Sequence, residues 1–83
     1  MLTETQAELE VTQFLARRPS PEDIIAFHPS SAVAARLYEL IDLERTGHLG
    51  EQERRELESY LYLEHLMRLM KADAHRQLGQ QAS

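Results

Sequence analysis

Residues 42–53 read DLERTGHLGEQE, and the reading of this string decides the fold. Gly47 follows a stretch of helical periodicity and is the residue type that closes helices in the left-handed conformation. Leu49 supplies an apolar anchor beneath the turn, and Glu51 and Glu53 suit the positive end of a following helix dipole. The string therefore predicts a helix hairpin. The same residues can be laid on a calcium loop, with Asp42, Glu44, Thr46 and Glu53 in ligand positions and Gly47 at the sharp bend. The residue types fit poorly. Glu44 is long for its place, Thr46 is neutral, and Arg45 and Arg54 put positive charge beside the ion. The hairpin is preferred, and no metal or cofactor is expected. A weak calcium-responsive helical switch on Asp42, Glu44, Thr46 and Glu53 is the alternative.

Working back toward the N-terminus, the arm before Gly47 begins at Ser30 or Ser31 and runs to about Arg45. Val33, Leu37, Leu40 and Ile41 are read as pointing inward, with Tyr38 and Leu43 as further inward positions. Pro29 separates this arm from a short segment in which Ser20 is the cap, Pro21 the first helical residue and Asp23 the capping partner. Ile24, Ile25 and Phe27 pin that connector. A first helix runs from about Thr3, with Gln6 in a capping box, to Arg18 before Pro19. Its stripe is Ala7, Val11, Phe14 and Leu15.

After the turn, a long helix is predicted from Glu51 to His75 or Leu78. Between Tyr60 and Met70 only Glu64, His65 and Arg68 interrupt the apolar residues, so this part is expected to be covered on more than one side. The fold class is all-α: a small helical bundle with a helix hairpin and a long C-terminal helix. Residues 1–78 form one domain and 79–83 a frayed tail. With 83 residues and no cysteine, neither a large core nor a disulfide adds stability. Association is then the common remedy.

The net charge is −5, and eight of the fourteen acidic side chains lie in the first 45 residues. That distribution lacks the clustered Lys and Arg of a direct nucleic-acid binder. No apolar run is long enough for a membrane span. Met1 to Glu10 is acidic and amphipathic, unlike a signal peptide, so a cytoplasmic protein is expected.

No catalytic residues emerge. There is no phosphate loop, no cysteine and no nucleophile elbow, and the carboxylates sit at exposed helix positions. His28, His48, His65 and His75 have no ligand spacing among themselves. His65, set among Leu63, Leu66 and Met67, is expected to be partly buried. The expected partner or dimer interface is Tyr60, Leu63, Leu66, Met67 and Met70, with Leu61 and Tyr62 beside them. Glu4, Glu8 and Glu10 form an expected acidic contact face.

Three stretches carry a family resemblance: RPSPEDIIAF at 18–27, GHLGE at 47–51 and EHLMRLMKA at 64–72. Together they resemble a family of small, functionally uncharacterised bacterial proteins common in cyanobacteria. Those proteins are similar to antitoxin-like partners of HNH-type endonucleases, often encoded beside them. In that family the Gly-x-Leu turn is followed by Thr-Pro or a similar cap, where this chain has Gly50, and the calcium-loop acids are missing. The resemblance implies a protein-binding, antitoxin-like or immunity-like module that masks a partner, such as a toxin or nuclease encoded nearby. It brings no catalytic residue. A homodimeric structural or assembly protein is the other expectation.

Overall fold

A computed structural model describes residues 4–81. Among these described residues four helices follow in order: α1 (Gln6–Ala16), α2 (Pro21–Ala26), α3 (Ser31–Arg45) and α4 (Glu51–Gln81). No strand occurs among the described residues, so the all-α bundle with a long last helix is the observed fold.

Each helix start has a local cause. Thr5 caps α1 in a reciprocal box with Glu8, and Ser20 does the same for α2 with Asp23. Such boxes satisfy two of the N–H groups that a helix start otherwise leaves open. The α1 box sits two residues after the expected Thr3–Gln6 pair, and Thr3 lies outside the described residues. Ser30 caps α3 by accepting the Val33 N–H. At α4, Gly50 donates its N–H to Glu53 Oε1 at 2.9 Å, but has no side chain to complete a box.

The hairpin turn closes by a Schellman motif. His48 N–H donates to the Leu43 carbonyl at 2.9 Å, and Gly47 N–H to that of Glu44 at 3.1 Å. Gly47 takes φ 79°. Glycine adopts that conformation without steric cost. The end of α1 attempts the same closure with less suitable residues. Arg18 stands at φ 53° and donates to the Leu15 carbonyl. Pro19 has no N–H to complete the pair.

α4 is the spine, and α1, α2 and α3 all pack on it. Ala7, Val33, Leu40, Leu57 and Tyr60 form the buried cluster, with Leu37, Leu49 and Leu63 against it. Further along α4, Met67 and Ala74 are also buried. α1 is docked through its buried residues Ala7 and Val11. The Phe14 and Phe27 rings, 4.4 Å apart, tie its end to the residue that closes α2.

α4 extends through Gly79 to Gln81, so the expected frayed tail is helical over its first three residues. No proline or competing cap interrupts the helix there. α4 has 31 residues. At the α-helical rise it is about 46 Å long. That length sets the long axis of a molecule measuring 51 × 28 × 19 Å. The radius of gyration is 15.1 Å. A compact chain of this length would have about 12 Å. Three short helices cannot wrap such a rod, and one side of α4 stays uncovered.

Candidate protein-docking surfaces

Two polar ties join helices across the surface. The first joins α3 to α4. Arg36 donates through Nε to Glu56 Oε2 at 2.9 Å and through Nη2 to Glu56 Oε1 at 2.8 Å, with Nη1 on Glu39. This fork matches the planar carboxylate. Both side chains of the fork are half-buried. The Arg36 guanidinium holds the Glu56 carboxyl below its ordinary value against the opposing effect of burial. Burial pushes the Tyr60 phenol above its ordinary value, with the Glu56 charge acting in the same direction.

The second tie joins α1 to α3. Glu10 accepts the Ser30 N–H at 3.0 Å and the Ser30 hydroxyl through its other oxygen. Partial burial works against the Glu10 charge, but the two Ser30 donors and the Gln6 amide outweigh it, so the carboxyl lies below its ordinary value. Glu8 is lowered chiefly by the Thr5 N–H. Two members of the expected acidic face, Glu8 and Glu10, are thus helix-capping groups. Glu4 remains exposed.

Between these ties α1, α3 and α4 leave an open groove of about 610 Å³. Ala7 and Val11 come from α1, Val33 and Leu37 from α3, and Leu63 and Met67 from α4. Tyr38 and Ile41 stand on the α3 side, 73% and 41% exposed. The sequence places both inward, but the α3 surface they occupy faces open space rather than another helix. Glu10, Glu64, Arg68 and Lys71 supply both signs of charge around the apolar lining.

The expected interface set divides. Tyr60 and Met67 are buried at 4% and 7% exposure, and so belong to the core with only their edges reaching the groove. Leu63, Leu66 and Met70 are half-buried. The large exposed apolar residues of α4 are instead Leu61, Tyr62 and Leu69. His65 is exposed, contrary to expectation, because it lies on their side of the helix. The pattern between 60 and 70 carries an excess of apolar surface, but which half meets α1 and α3 depends on packing.

The residues of the calcium-loop alternative are drawn into separate local bonds. Asp42 pairs with Arg45, the Thr46 hydroxyl donates to the Asp42 and Leu43 carbonyls, and Glu53 holds Gly50. Among the described residues, no group of three His, Asp or Glu side chains is placed to hold a metal ion. No described helix is long and apolar enough to cross a membrane. A second, shallower cleft at the α1–α2 junction is lined by Phe14, Arg17 and Phe27.

No family model, curated protein or solved structure matches this chain.

Proposed function

We propose that this chain is a protein-docking module whose groove between α1, α3 and α4 receives an amphipathic helix of a partner protein. The observation that carries this reading is the apolar groove of about 610 Å³, with Tyr38 and Ile41 exposed beside it. A groove built from helices accepts a helix whose apolar residues recur every three or four positions. Tyr and Ile anchors gain by leaving water, while surrounding charges of both signs select orientation more than affinity.

The antitoxin-like or immunity-like form of the reading follows from the family resemblance. Capture of a partner's functional helix, for instance that of a nuclease, would occlude it. The groove supplies that occlusion. The acidic face of Glu4, Glu8 and Glu10 would add charge complementarity to a basic partner, since capping favours the charged form of Glu8 and Glu10.

The test is affinity capture from source cells with three baits: the wild-type chain, Ile41→Asp and Leu69→Asp. The expected result is a stoichiometric protein retained by wild type and Leu69→Asp but lost with Ile41→Asp. Equal retention by all three baits would place the docking site elsewhere.

A further inference from the structure

The uncovered side of α4 carries its own ordered pattern. Glu58, Tyr62, His65, Leu69, Ala72 and Arg76 are all exposed, and their spacings alternate four, three, four, three, four. This is the seam spacing of a coiled coil, lying on one straight stripe about 27 Å long. It is separate from the groove proposed above, and no described helix covers it.

The ends of the stripe differ in charge. Glu58 stands at one end and Arg76 at the other, symmetrically placed about residue 67. A parallel second copy would set Glu58 against Glu58 and Arg76 against Arg76. An antiparallel copy, with its twofold axis beside residue 67, sets each Glu58 against the other copy's Arg76. The same register stacks Tyr62 on Ala72, large against small, and His65 on Leu69. Each layer joins an a position to a d position of the facing helix, which is the contact an antiparallel pair needs.

We infer that the exposed stripe of α4 is a self-association surface, and that two copies of this chain pair there as antiparallel helices, locked at both ends by Glu58–Arg76 contacts. Arg76 already pairs with Asp73 on its own helix. A guanidinium has N–H donors to spare for a second carboxylate. Arg68, beside the stripe, is paired with Glu64 at 3.1 Å, which softens the approach of the two copies near the axis. A single helix pair buries less than a standard interface, so the affinity is on the order of micromolar. The elongated shape agrees with such a partner, since the rod side left bare in one copy is the side the other covers.

The experiment is sedimentation equilibrium of the full chain across the micromolar range, with helicity followed by circular dichroism. Wild type is expected to form a dimer, and Leu69→Asp to remain monomeric with its helicity intact. Glu58→Arg and Arg76→Glu are each expected to weaken the dimer roughly tenfold, and the double charge swap to restore it. A wild-type chain that stays monomeric throughout would overturn the inference. So would a double swap as weak as the singles, because the antiparallel register requires rescue. A dimer dissolved by Ile41→Asp and untouched by Leu69→Asp would move self-association to the groove and overturn it as well.

Discussion

Glu10 on α1 caps α3 from outside that helix by accepting both the backbone N–H and the hydroxyl of Ser30. Ser30 Oγ in turn accepts the Val33 N–H, so one carboxylate settles the first turn of a helix twenty residues away. Negative charge at a helix start also meets the positive end of its dipole. Glu10→Ala is expected to lower stability by about 1 kcal/mol, a value kept small because the pair is near solvent. Urea unfolding checks this. An unchanged midpoint would show that Ser30 caps the helix without help.

The ionisation shifts give the stability curve two shoulders. Glu8, Glu10 and Glu56 all lie below their ordinary value of 4.5 in the fold. A carboxyl lowered by folding stabilises the native state above its unfolded value, and that contribution disappears as pH falls through the folded value. Stability is therefore expected to drop below about pH 4.5. Tyr60 is raised above its ordinary 10.0, so its neutral form is favoured in the fold and stability falls as pH rises beyond that value. Glu56→Gln should flatten part of the acid shoulder in thermal melts taken across pH. An acid limb identical to wild type would show that the Arg36 fork contributes nothing to the transition.

Two left-handed residues form a matched pair of opposite expectations. At Gly47 an added Cβ would meet nothing within 4 Å. Gly47→Ala therefore meets no clash, and its backbone strain, less the entropy that alanine removes from the unfolded chain, should cost about 1 kcal/mol. Arg18, at φ 53°, already bears that strain. Arg18→Gly should recover about 0.5 kcal/mol after the entropy that glycine adds to the unfolded chain. Denaturation midpoints moving in opposite directions would bear this out. A loss at both positions would mean that the Arg18 side chain contributes more than its backbone costs.

Signals that act within a few residues were legible in the sequence. Ser20 with Asp23, Ser30 and Gly47 each end or begin a helix through bonds spanning three to five positions, so residue type and spacing suffice. The α1 start marks the limit of that reasoning, because two Thr-x-x-acceptor strings overlap and the described box is Thr5–Glu8. Tertiary facts were less legible. The apolar excess of Tyr60–Met70 predicts surplus surface, but only the angle at which α1 and α3 meet α4 sends Tyr60 and Met67 into the core and leaves Leu61, Tyr62 and Leu69 outside. Glu10 carries no local mark of its role, since its partner is distant in sequence.

The neighbouring α3 positions Tyr38 and Leu40 separate stability from docking. Leu40 is fully buried in the central cluster. Leu40→Ala should cost about 3 kcal/mol, a large share of what a domain this small possesses. Tyr38 is largely exposed beside the groove. Tyr38→Ala should therefore change stability by less than about 0.5 kcal/mol. The two variants should reverse order in capture experiments normalised to folded protein. Tyr38→Ala loses the partner while its melt stays unchanged, and Leu40→Ala melts early yet binds at low temperature for the fraction that remains folded. Undiminished capture by Tyr38→Ala would remove that side chain from the docking surface. An early melt of Tyr38→Ala would show instead that the residue supports the fold from the groove wall.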